Sequence, residues 1–355
     1  MKSIYIIGTV ESGKTALCLG LALKFREEGY RVSYFKPVGI ATGIAGMRDD
    51  DTELMRTVLD IKVPFEKMTL FTMGYNYLTR YGPENSEKYM ADIKSAYNEI
   101  SRDCDIVIIE GTTSPQAMLA LGLDASTISR SLGAKMLMVS RVNDDFGMDE
   151  LILNLQYMKK AGVDIMGTLF NFVPTPLLER TRNVYVPILE RKGFNIRGIV
   201  PERRELTAPT VKEIYDVLGG EILEGESNLD LLVENFLVGA MTTDSALRYF
   251  RRSKNKAVIT GGDRADIIHS ALETSTSVLI LTGNLYPDVR VLSKASEKGV
   301  PVILVPYDTY TTIEKLHGVS CKIKATDEEG KRQSKELVEN YIDWKGILKE
   351  LEGTI

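Results

Sequence analysis

The stretch Gly8-Thr9-Val10-Glu11-Ser12-Gly13-Lys14-Thr15 follows the pattern G-x-x-x-x-G-K-[ST]. An apolar run precedes it and a helical pattern follows, the setting in which this pattern wraps phosphate groups. Glycines let the backbone approach closely, so the loop formed by Gly8, Glu11, Ser12 and Gly13 can cradle a polyphosphate against the start of the next helix. Lys14 is expected to reach the β- and γ-phosphates, and Thr15 offers a hydroxyl oxygen to Mg²⁺. Such a site also needs a carboxylate at the end of a neighbouring strand. Glu110 stands at the tip of Asp105-Ile106-Val107-Ile108-Ile109-Glu110-Gly111 and suits that metal shell, the alternative being a structural cap. Lys36, in Lys36-Pro37-Val38, brings a second cation to the same sheet edge for a phosphate or an anionic substrate, or is a surface lysine. Asp49, Asp50 and Asp51 open a helical stretch as N-terminal caps, with Asp51 the choice if one of them serves Mg²⁺.

The elements that must position these residues are legible as alternating strands and helices. A strand is expected at Ser3 to Ile7, a helix at Lys14 to Glu28 ended by Gly29, and a strand at Arg31 to Lys36. Further runs at Asp105 to Glu110, Lys135 to Ser140, Asp164 to Asn171 and Ile196 to Val200 are nearly unbroken in apolarity, as strands covered on both faces are. This is the pattern of a parallel α/β sheet. Leu218 to Asp230, rich in Gly and acid, interrupts it and reads as a linker. Beyond it, runs at Asn235 to Met241, Ala257 to Thr260, Ser277 to Thr282 and Pro301 to Val305 alternate with helical segments at Asp263 to Glu273 and Asp288 to Lys298. The expected organisation is a domain over 1–220, a smaller α/β domain over 221–322 and a helical tail over 323–355 that packs through Leu337, Tyr341, Trp344 and Leu348.

Composition narrows the chemistry further. The 355 residues carry 44 Lys and Arg against 49 Asp and Glu, a net charge of −5, so nothing drives the chain electrostatically toward nucleic acid or an anionic membrane. No window reaches the roughly 20 apolar residues of a membrane span, and the N-terminus has no export signal, so a cytoplasmic location is expected. Cys18, Cys104 and Cys321 form no CxxC pair, and His269 and His317 have no ligand spacing, so the chemistry is expected to come from neither thiolates nor imidazoles.

GTVESGKT, FKPVG, the aspartate before DTEL, and IIEG occur in the order and spacing of dethiobiotin synthetase and its relatives. The resemblance covers residues 1 to about 220. Within that group RGIVPERRELTAPTVKEIYDVLGGEIL is most similar to the dethiobiotin-synthetase-like region of long-form phosphotransacetylase. The resemblance implies a parallel-sheet P-loop NTPase domain in which Lys14, Lys36, Asp51 and Glu110 bind Mg-ATP and a substrate carboxyl group. It also implies that Asn171 in LFNFVP reads the adenine edge, unless it is an ordinary turn asparagine, with Pro201 on the nucleotide side as well. Two departures are visible: the loop is one residue shorter, and Glu110 is followed by GTTS where dethiobiotin synthetases carry a glycine-rich stretch. The resemblance therefore carries the ATP site over without the biotin chemistry.

About residues 225 to 320 resemble a DRTGG domain, whose paired motifs match Asp263-Arg264 and Thr282-Gly283-Asn284. These residues sit where an open α/β sheet binds ligands, and Arg264 either holds an anion or fixes its own loop. Asparagine at 284 tolerates a positive φ, so the turn is expected to persist. After Cys321 only a short charged helical stretch follows, so the expectation is a regulatory front half without the acetyltransferase domain. Two functions fit. One is a regulator that binds ATP or ADP with Mg²⁺, hydrolyses slowly, pairs as a homodimer and works with a partner enzyme of acetyl metabolism. The other is an ATP-dependent ligase that phosphorylates a small carboxylate or carbamate.

Overall fold

The computed structural model describes residues 2–9, 12–40, 49–74, 76–202, 208–316, 323 and 325–353. Glu11, His317 and Cys321 lie outside the described residues. The chain divides into two compact units, one of Met1–Glu202 with Ile323–Ile355 and one of Arg203–Lys322.

In the first unit the strands are β1 (Lys2–Gly8), β2 (Val32–Phe35), β3 (Val38–Ile40), β4 (Phe71–Met73), β5 (Ile106–Glu110), β6 (Lys135–Ser140), β7 (Ile165–Val173) and β8 (Ile196–Pro201). Six of them form one sheet in the order β2-β5-β1-β6-β7-β8, every pair parallel. This is the expected doubly covered sheet, and its central strands are buried almost throughout because side chains on both faces meet helices. All six carboxyl ends lie on one edge, so Gly8, Lys36, Glu110, Asn171 and Pro201 arrive there together. The short β3 and β4 pair with each other beside it.

The expected tail forms two helices, Glu328–Tyr341 and Trp344–Glu352, and both belong to the first unit. The helix Glu328–Tyr341 lies on α1 (Lys14–Glu27), the helix that follows the loop. The crossing is close at Gly20, where a Cβ would stand 2.2 Å from the Ser334 carbonyl oxygen. Around it Lys24 pairs with Glu27, Glu28 and Glu339 and sits 4.7 Å from the Trp344 ring centroid. Arg197 of β8 pairs with Asp343 and Glu350.

The second unit contains β9 (Glu221–Glu224), β10 (Asn235–Val238), β11 (Lys256–Gly261), β12 (Thr276–Thr282) and β13 (Val302–Leu304), ordered β10-β11-β12-β13-β9 with only β9 antiparallel. Two expectations change here. The boundary placed at 220 moves to about 203, because the helix Val211–Leu218 buries Val211, Ile214 and Leu218 in the second core. The stretch expected as a linker contains β9, which Gly219 and Gly220, at φ 65° and 94°, turn back alongside β13.

Gly20→Ala drives a methyl into the Ser334 carbonyl, so it is expected to cost about 1–3 kcal/mol. Trp344 is the one tryptophan and opens the helix Trp344–Glu352, so a lowered urea midpoint of its fluorescence reads that loss directly.

Candidate functional site

The glycines of the loop are there for space and backbone. A Cβ on Gly8 would stand 2.2 Å from the Val139 carbonyl oxygen of β6. Gly13 has φ +76°, and a Cβ there would meet Asn171 Nδ2 at 2.5 Å and the Phe172 ring at 2.7 Å. Lys14 Nζ bends back to donate to the Thr9 carbonyl at 2.9 Å, with Ser12 Oγ at 3.5 Å. Burial pushes its pKa down, against the nearby Glu110.

Lys36 is 1% exposed at the end of β2, and it is no surface lysine. Its ammonium lies 2.5 Å from Asp51 Oδ2, 3.0 Å from Asp49 Oδ2 and 3.4 Å from Glu110 Oε1. Burial alone would lower its pKa, but Glu110, Asp51 and Asp49 outweigh desolvation and hold it above the ordinary lysine value. The three consecutive aspartates divide their roles. Asp49 is the N-cap of α2 (Asp50–Val58), accepting from Thr52 N at 3.0 Å, and it also accepts from Ile40 N at 3.0 Å. Asp51, in the first turn of α2, reaches Lys36.

Glu110 is 2% exposed and accepts from Thr15 Oγ1 at 3.0 Å on one oxygen and from the Tyr34 hydroxyl at 2.9 Å on the other. Burial raises its pKa, while Lys36 and Lys14 pull the other way and Asp51 and Asp49 add to the rise. Tyr34 and Cys18, both fully buried, are pushed up by burial and then by Glu110. Neither is among the site residues expected from the sequence. Tyr34 precedes Lys36 by two in an extended segment and Cys18 follows Lys14 by four in a helix, so each shares a face with a residue that was singled out. Among the described residues no cluster of three or more His, Cys, Asp and Glu side chains is arranged for a metal, since the carboxylates converge on the Lys36 ammonium.

Asn171 lies against the loop. It is 1% exposed beneath the loop, donating Nδ2 to the Ser12 carbonyl at 2.7 Å, and its Oδ1 is buried without a hydrogen-bond partner. That bond ties the loop to β7. Phe172 beside it holds φ +53°, its ring against Gly13 and the Arg141 guanidinium 5.7 Å from its centroid. Pro201 closes β8 opposite Val173.

In the second unit, Arg264 and Thr282 lie past or at the ends of adjacent strands β11 and β12. Arg264 folds onto Asp266, with Nε 3.1 Å from Oδ1 and Nη2 3.2 Å from Oδ2, and donates to the Met241 carbonyl at 3.1 Å. Its ion-pair partner is thus Asp266, while Asp263 lies in the turn behind Gly261. Thr282 is buried against Thr309 Oγ1 at 3.1 Å. Gly283 and Asn284 take φ 75° and 55°, so asparagine keeps the left-handed turn as expected.

Lys36→Met is expected to destabilise the first unit by about 3–5 kcal/mol at pH 8, because three carboxylates lose their buried counter-ion. Lys36 itself, with its pKa raised, keeps its contribution through the neutral range. Burial already holds the Glu110 pKa above the ordinary carboxylate value, and the variant removes the Lys36 charge that pulls it back down, so the cost of leaving it ionised grows as pH rises and eases as pH falls. The gap between variant and wild type in Trp344-monitored unfolding should therefore narrow from pH 8 to pH 5.

Comparison with known proteins follows the same division. A family model described as an AAA domain matches residues 2–210, and one described as a DRTGG domain matches residues 213–319. Phosphate acetyltransferase of Nitratidesulfovibrio vulgaris is 27% identical over 96% of this chain and 50% of its own length. That of Nitrosomonas europaea is 24% identical over 95% and 50%, and that of Escherichia coli K12 is 23% identical over 94% and 50%. The chain thus spans about half the length of the curated relatives it matches. Among solved structures, the MinC:MinD cell division complex of Aquifex aeolicus is similar at a TM-score of 0.38 and 17% identity, covering 58% of this chain and 84% of that one. With the match running over more than half of its residues and the loop, sheet order and Thr15–Glu110 contact beneath it, the chain belongs to the AAA-domain P-loop family and carries a DRTGG domain behind it.

Proposed function

We infer that the first unit binds ATP or ADP together with Mg²⁺ and that the chain is a nucleotide-responsive regulator whose own ATP hydrolysis is slow. The observation that carries this is the contact of Thr15 with Glu110 directly behind the loop lysine. Their oxygens lie 3.0 Å apart. Neighbouring ligands of an octahedral Mg²⁺, at bonds near 2.1 Å, are separated by about 3 Å. Thr15 and Glu110 would hold the ion, with Asp51, 29% exposed, within the same cluster. Lys14, once turned from the Thr9 carbonyl, would meet the terminal phosphates. The bound ion would supply charge neutralisation for the polyphosphate.

Two observations favour regulation over ligation of a carboxylate. Lys36, which a ligase would use to hold its acidic substrate, already serves three carboxylates. In the segment after Glu110 the side chains of Thr112, Met118, Leu121 and Leu123 are buried, and Asp124 caps the helix Ala125–Ser131. The second unit would then act as the regulatory module. The names of the curated relatives make an enzyme of acetyl-group metabolism the natural partner.

Calorimetric titration of Mg-ATP tests the reading. Wild type is expected to bind with little sustained heat, and Lys14→Ala to bind about 10- to 100-fold more weakly through loss of charge-assisted hydrogen bonds. Absence of binding in wild type would overturn the reading. Sustained heat that a small carboxylate accelerates many-fold would replace it with the ligase.

A further inference from the structure

Among the described residues Glu110 is met by Thr15, Lys36, Tyr34 and the Cys18 thiol, and they are not equivalent. Thr15 would share its oxygen with a cation, and Lys36 divides its ammonium among three carboxylates. Tyr34 alone has a hydroxyl directed to Glu110 Oε2, at 2.9 Å, from a fully buried ring. The strand register explains the reach. β2 and β5 run parallel with Tyr34 opposite Ile108, so Tyr34 and Glu110 share a face one repeat apart, and the length of the phenol spans that step. Phenylalanine would fill the same space and pack as well, so packing gives no reason for the hydroxyl.

Resting on the Mg-nucleotide reading of this site, we propose that Tyr34 is a positioning residue: its hydroxyl fixes Oε2 of Glu110 and thereby turns Oε1 toward Thr15, the pair that would hold the cation. Groups that hold a ligand from behind in this way typically carry a 10- to 100-fold effect on metal affinity.

The test compares wild type, Tyr34→Phe, Glu110→Gln and the double variant, all in the full chain. Mn²⁺ binding in the presence of ATP is followed by the paramagnetic resonance of free Mn²⁺, and metal-free ATP binding by calorimetry. The expected result is at least 10-fold weaker Mn²⁺ binding in Tyr34→Phe, metal-free ATP binding within about 2-fold of wild type, and no further loss when Tyr34→Phe is added to Glu110→Gln. A purely structural role would move the unfolding midpoint and metal-free ATP binding as well, and that outcome overturns the proposal. So does Tyr34→Phe binding Mn²⁺ as wild type does while Glu110→Gln does not. If wild type itself binds no Mn²⁺ with ATP, the reading of the whole site falls, and the role of Tyr34 with it.

Discussion

One buried ammonium dictates where the chemistry of the first unit can be. An amine as covered as Lys36 is tolerated only with anionic partners, and it gathers Asp49, Asp51 and Glu110 from two different elements. Satisfying it forces the N-terminus of α2 against the carboxyl ends of β2 and β5. Asp49 serves two demands at once, as the cap of α2 and as a partner of Lys36, so the helix cannot shift without unpairing the lysine. Such a cluster contributes less to stability than to uniqueness, because well-packed apolar groups would stabilise at least as well without fixing the geometry.

The loop side is set by contact rather than charge. Gly8 and Gly13 stand where any side chain would strike β6 or the end of β7, and the Asn171 amide ties the loop carbonyl of Ser12 to that same strand. Phe172 adopts a left-handed backbone that non-glycine residues seldom take, which brings its ring against Gly13. Gly8, Gly13, the lysine cluster and Glu110 therefore meet at one edge of the sheet.

Much of this was legible in the residues alone. Gly8 to Thr15, the apolar runs ending at Glu110 and Ser140, and the restart of alternation after about 230 needed only pattern and period. What stayed hidden depended on partners distant in sequence. EILE within a Gly- and acid-rich stretch carries no strand pattern strong enough to name β9, whose reason is the free edge of β13. The helix Glu328–Tyr341 reads as amphipathic, but only Gly20 of α1 shows where it docks. Asn171 has the chemistry of a base reader and of a loop brace alike, and its bond to the Ser12 carbonyl, 159 residues away, depends on a contact that pattern and period do not carry. Arg264 looked paired with its neighbour Asp263, whereas helix geometry put Asp266 within reach.

The return of the chain to α1 has a consequence for biosynthesis. Residues of the second unit are contiguous, Arg203–Lys322, whereas the first unit is completed only by Ile323–Ile355. On the ribosome the second unit can finish folding while the first still lacks the helices that cover α1. Until the helices Glu328–Tyr341 and Trp344–Glu352 emerge, Gly20 and its neighbours face solvent, and the apolar surface around them is open to chaperones or to the wrong partners. The order of synthesis thus lets the second unit close before the first.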